Sequence, residues 1–138
     1  MKTFFVIVAA LTLFLGVSWC FFPREMLASW GVQGNDVAVY MARRYGGAFF
    51  GYATILWLAR NAASSAARTA ILSGGAAVTT VLTFVSLLGA LSGVVGPAVW
   101  SAVVIEAVLA VGFTYFLWTA RRPAAERSTT GSQNRPGV

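Results

Sequence analysis

Four apolar stretches divide the chain, and the polar positions fall mostly between them. Residues 3–22 run apolar for about 20 positions, the length a helix needs to cross a hydrocarbon core of roughly 30 Å. Pro23 ends that helix, because proline has no N–H to donate and its ring crowds the preceding turn. Residues 23–30 then read as a short interfacial helix, with Met26, Leu27 and Trp30 at helical spacing on one side. Gly31 to Gly34 forms a turn, and Asn35 or Asp36 supplies the side-chain oxygen that caps the next helix.

A second span is expected over 37–58, closed by Arg60 and Asn61, and a polar connection over 61–68. The third span, 69–91, holds no charge; Thr79, Thr80, Thr83 and Ser86 can return their hydroxyls to the preceding turn. Residues 92–97 suffice only for a tight reversal, and 98–118 makes a fourth span. The pattern predicts an all-α membrane protein, a four-transmembrane-helix bundle with a short interfacial helix after the first span. Residues 1–122 form that domain, and 123–138, nearly devoid of apolar side chains, a disordered basic cytoplasmic tail.

Met1 and Lys2 ahead of the first stretch would also suit a signal peptide. Val17 to Pro23 offers no small-x-small cleavage pattern, and Trp19 stands where a lipoprotein signal needs a small residue before Cys20. An uncleaved first span is expected. Four crossings place both termini and the 61–68 connection on one side, which gathers Lys2, Arg60, Arg68, Arg121 and Arg122 and is therefore cytoplasmic. Trp19, Trp30, Tyr40 and Trp100 mark the outer interface, and Trp57, Tyr115 and Trp118 the inner one. The expected location is the cell (inner) membrane.

Composition sharpens this by exclusion. Hydrophobic residues make up 58% of the chain and charged ones 10%, too few charges for a soluble surface. The mean hydropathy is +0.75. The net charge of +6 does not imply a nucleic-acid partner, because most arginines flank apolar blocks, as membrane helices require. With no histidine and one cysteine, an intramolecular disulfide, a Cys/His metal site and a Ser-His-Asp triad are all ruled out. No cofactor, no metal and no enzymatic activity are expected. Nine arginines against one lysine, with abundant Ala, Gly and Val, point to a GC-rich bacterial genome.

The candidate chemistry lies in three charges placed deep in the spans. A charged side chain at the centre of a membrane helix costs about 2.5–3.5 kcal/mol on insertion scales. Arg43 and Arg44 enter the second span and Glu106 the fourth, at depths of roughly 9–12 Å at 1.5 Å per residue. An intramembrane Arg43/Arg44–Glu106 contact that fixes helix packing is the expected arrangement. Two other readings stand beside it. The three charges, with Asp36, Tyr40 and Gly47, could line an outward-facing polar pocket, or the surplus positive charge could hold an anionic lipid headgroup. The spacing Gly47-Ala-Phe-Phe-Gly51 permits close helix approach and is expected to serve packing within the chain.

The segment Ala42-Arg-Arg-Tyr-Gly-Gly-Ala48, Gly51, Leu56-Trp-Leu-Ala-Arg60, the acid Glu106 and the Pro23 to Gly31 segment carry a resemblance. In these features the chain resembles a class of small four-helix bacterial integral membrane proteins without assigned chemistry. The resemblance implies a fold and no activity. The functional expectation is a non-catalytic membrane protein, structural, accessory or lipid-interacting; the alternative is a small transporter or channel component. Its partners are the lipid bilayer, and a homo-oligomer or a larger membrane complex.

Overall fold

A computed structural model describes residues 1–130, the side chains through Ala120. Of the tail expected over 123–138, residues 131–138 lie outside the described residues. The described residues form five helices and no strand: α1 (Lys2–Phe21), α2 (Pro23–Ser29), α3 (Asp36–Ala59), α4 (Ala66–Ser92) and α5 (Val99–Thr130). The all-α class and the helix boundaries follow the apolar blocks. Helix α5 is the exception: it continues through Pro123 to Thr130, where Ala124, Ala125, Glu126 and Arg127 all favour helix.

The four-span bundle does not hold. Among the described residues, three helices are long and apolar enough to cross a membrane: α1 at mean hydropathy 2.4, α4 at 1.9 and Val99–Ala120 of α5 at 1.8. By length and composition the protein is multi-pass. Helix α3 has the length, 24 residues, without the apolarity. Its first two thirds carry Asp36, Arg43 and Arg44 together with two tyrosines and three glycines, and only Ile55 to Ala59 reads as uninterrupted apolar helix. With three candidate spans, the even count that placed both termini on the cytoplasmic side loses its premise.

The helices pack as two antiparallel pairs, α1 with α3 and α4 with α5, and α2 rests against both α1 and α3. Glycines set the close approaches. Gly46 of α3 lies so near α1 that an added Cβ would stand 2.7 Å from Cys20 Sγ and 2.8 Å from the Cys20 backbone nitrogen. The Cys20 thiol in turn donates to the Arg43 carbonyl at 3.5 Å. Gly47 and Gly51, by contrast, meet nothing within 4 Å. The 47–51 spacing therefore does no packing within the chain; Gly46, one residue earlier, does.

The two pairs are joined at both ends. At one end Phe5 and Val8 of α1, Leu56 of α3, Leu72 of α4 and Phe113 of α5 form the fully buried core. Phe113 stacks edge-on against Phe4 with centroids 5.0 Å apart and fills the space left by Gly75. Arg68, at the start of α4, caps this end by donating to the sulfur of Met1 and to the Ala62 carbonyl. At the other end the Gly96 N–H donates to the Trp30 carbonyl at 2.5 Å, which ties the turn after α2 to the turn before α5. Gly31, at φ +72°, supplies the left-handed backbone this contact needs.

Local capping fits the sequence. Asn35 accepts from the Ala38 N–H at 2.8 Å, and Thr79 and Thr83 each donate to a carbonyl one turn back at 2.7 Å. The outward faces of α1, α4 and α5 and the end of α3 are apolar: Ile7, Phe14, Leu58, Val81, Phe84, Leu88, Val104 and Val111 are all exposed. An aqueous surface would not be built this way, whereas lipid tails solvate these side chains.

Candidate functional site

Between the two helix pairs, bounded by the Phe113 core at one end and the Trp30–Gly96 contact at the other, lies a cavity of about 160 Å³. Every helix contributes to its wall. Helix α1 supplies Thr12 and Trp19, and α2 with its following turn supplies Met26 and Trp30. The apolar side of α2 thus covers the cavity rather than lying wholly in the membrane interface. Helix α3 adds Tyr45, Phe49 and Tyr52, α4 adds Thr79, and α5 adds Ala102 and Glu106.

The aromatic wall is continuous. Trp30 meets Trp19 edge-on at 5.4 Å, Trp19 meets Tyr45 at 5.8 Å, and Tyr45 meets Phe49 at 4.7 Å. Rings arranged this way hold one another by edge-to-face contact. The threonine hydroxyls of the wall are spent, Thr12 and Thr79 donating to carbonyls of their own helices. Two buried polar atoms of the wall, Glu106 Oε2 and the Tyr52 hydroxyl, have no hydrogen-bond partner among the described residues. Buried polar atoms are nearly always paired, so an orphaned carboxyl oxygen on a cavity wall marks a place where a partner is missing. The Ser86 hydroxyl, on α4, lies beside the Glu106 carboxyl.

The expected Arg–Glu contact is not made. Arg43 and Arg44 are both exposed on the outer side of α3, and the one ion pair among the described residues joins Arg24 to Asp36 at 2.9 Å. The reason is rotational. Val39, Ala42, Gly46, Ala53 and Leu56 form the buried face of α3, and Arg43 and Arg44 follow Ala42 onto the other side. Matching depth in the helices is therefore not enough. Arg44 bends back toward the start of α3, its guanidinium 5.8 Å from the Tyr40 ring centre and donating to the Tyr40 hydroxyl at 3.3 Å. That is the direction of a snorkelling arginine. Asp36, Tyr40 and Gly47 also lie outside the cavity: Asp36 holds Arg24, Tyr40 holds Arg44, and Gly47 faces open space.

Of the expected site residues the cavity keeps Glu106 alone, with Ala102 one turn before it as the small residue beside the charge. Trp19, Trp30, Tyr45 and Tyr52 are the residues that sequence reasoning missed. Trp19 and Trp30 read from the sequence as interface markers and Tyr45 and Tyr52 carry no signal of their own; only the meeting of the two helix pairs brings the four to one cavity. No family model matches the chain, and no curated protein or solved structure matches it either.

Proposed function

We propose that the protein is a non-catalytic integral membrane protein that holds one small apolar or amphiphilic molecule in the cavity between its helix pairs. The observation that carries this is the orphaned Glu106 Oε2 on the wall of an otherwise apolar cavity of about 160 Å³. An apolar cavity of about 150 Å³ accommodates a benzene. Helical spans make the cell (inner) membrane the proposed location. The Phe113 core beside Tyr52 and Leu109 of the wall, and the Trp30–Gly96 contact, hold the helix pairs together around the cavity, which supports holding a molecule over conducting a stream of them.

The test is binding of a benzene-sized neutral probe, 4-fluorobenzyl alcohol, followed by fluorine NMR on the protein in phosphatidylcholine nanodiscs. A saturable resonance absent from empty nanodiscs is expected, and Ala102→Phe, which fills the cavity from its wall, should abolish it. A signal that survives Ala102→Phe would place the probe elsewhere and end this reading.

A second reading concerns the outer side of α3. The exposed guanidiniums of Arg43 and Arg44, the latter drawn toward the helix start by Tyr40, support contact with anionic lipid headgroups. Native mass spectrometry should retain phosphatidylglycerol on the wild type and lose it on Arg43→Ala/Arg44→Ala. Equal retention would refute it.

A further inference from the structure

We propose that the cavity selects a small organic monocation, an ammonium group on an aromatic or short aliphatic body, with the ammonium against Glu106 and the body against the Trp30–Trp19–Tyr45 wall. The proposal rests on the cavity being a binding site and adds the chemical class of its occupant.

Three observations meet here. First, Glu106 Oε2 is a buried acceptor without a donor, and no lysine or arginine pairs with the carboxyl among the described residues. A carboxylate accepts and does not donate, so the group that completes it must bring N–H or O–H hydrogens, and a cation brings charge balance as well. Secondly, basic side chains are engaged elsewhere, Arg44 by Tyr40 and Arg24 by Asp36, and Arg43 is exposed on α3. The chain thus supplies an unpaired acid inside while its surplus of positive charge stays outside. Thirdly, the wall beside the acid is made of aromatic rings locked edge to face, Trp30 on Trp19 and Trp19 on Tyr45. Indole and phenol faces attract cations through the negative side of their π systems, and aromatic cages of this composition are a recurring way to recognise ammonium groups.

The alternatives fit less well. An anion or a fatty acid would set a second negative group beside Glu106. A neutral hydrocarbon would fill the volume and leave Oε2 unpaired, the condition that protein interiors avoid. A hydrated metal ion would need several oxygen ligands, and no group of three or more ligating side chains exists among the described residues. The size also fits: about 160 Å³ admits one ring with a short amine arm.

The experiment compares two probes of nearly equal shape that differ by one charge, 4-fluorobenzylammonium and 4-fluorobenzyl alcohol. Binding is followed by fluorine NMR in phosphatidylcholine nanodiscs, which carry no net charge, with empty nanodiscs as background. Wild-type protein should bind the ammonium at least tenfold more tightly than the alcohol. Glu106→Gln should remove that preference while still binding the alcohol, which also reports that the variant is folded. Glu106→Asp, which keeps the charge, should keep the sign of the preference. Should Glu106→Gln fail to fold, the wild-type ratio decides the matter by itself. Equal binding of the two probes by the wild type, or an undiminished preference in a folded Glu106→Gln, would overturn the assignment and leave the cavity a neutral-ligand site. Binding of neither probe would overturn the cavity reading itself, and the proposal with it.

Discussion

Gly46→Ala and Gly47→Ala add the same methyl group one residue apart on α3, and they should move stability in opposite directions. At Gly46 the new Cβ would stand 2.7 Å from Cys20 Sγ, 2.8 Å from the Cys20 backbone nitrogen and 3.0 Å from Trp19 Cβ. Ordinary non-bonded separations are about 3.5–4.0 Å. Two of the three neighbours belong to the backbone or its first side-chain atom and cannot rotate away, so α1 and α3 would have to part by most of an ångström. Overpacking of this kind costs about 1–3 kcal/mol. The intrinsic gain of alanine over glycine in a helix, up to about 1 kcal/mol, offsets part of it. A net loss of roughly 1–2 kcal/mol follows for Gly46→Ala. At Gly47 nothing lies within 4 Å of the added methyl, so only the helix-propensity gain of about 0.5–1 kcal/mol remains. The assay is unfolding in mixed micelles of increasing dodecyl sulfate fraction, followed by helical circular dichroism on both variants and the wild type. Equal shifts, or a destabilised Gly47→Ala beside a tolerated Gly46→Ala, would refute this packing of α1 on α3.

Other consequences can be checked in the same system. A double-mutant cycle between Glu106→Gln and either Arg43→Ala or Arg44→Ala should give a coupling below about 0.5 kcal/mol, since the groups share no contact; a larger coupling would restore the ion pair. Gly75→Ala presses its methyl to 2.6 Å from the Phe113 ring and should cost about 1–3 kcal/mol, a loss that Phe113→Leu relieves in part. Asn35→Ala removes the oxygen that accepts from Ala38 and should destabilise by about 1 kcal/mol. Arg24→Ala, by contrast, breaks a bridge whose side chains are 63% and 97% exposed, and its effect should stay under about 1 kcal/mol.

Element boundaries were legible because apolar blocks, Pro23, Asn35 and the 92–97 reversal are local signals. Gly93, in left-handed conformation at φ +68°, ends α4 where the glycine of that reversal predicts. The weak point was α3. Its length imitates a span, but the polar content of its first two thirds, concentrated in Tyr40, Arg43, Arg44 and Tyr45, lowers its apolarity below that of the other three long helices. The site was legible only in Glu106. Depth along a helix axis can be counted from residues, whereas the direction of a side chain around that axis depends on which face packs. For α3 the signal was present: Ala42, Gly46, Ala53 and Leu56 are small or apolar at helical spacing and mark the buried side, with Arg43 and Arg44 off it. The cavity itself had no signal, because its wall is assembled from five helices whose meeting no local pattern encodes.

The central claim is that a small cationic molecule sits between the helix pairs against Glu106. The most direct measurement is the anomalous scattering of bromine in crystals grown from a lipid mesophase and soaked with 4-bromobenzylamine. The account predicts one dominant bromine peak inside the cavity, beside Trp19 and Trp30, with the amine nitrogen within hydrogen-bonding distance of Glu106 Oε2. Bromine found only along the lipid-facing helix surfaces, with the cavity empty or Glu106 turned away from it, would contradict it.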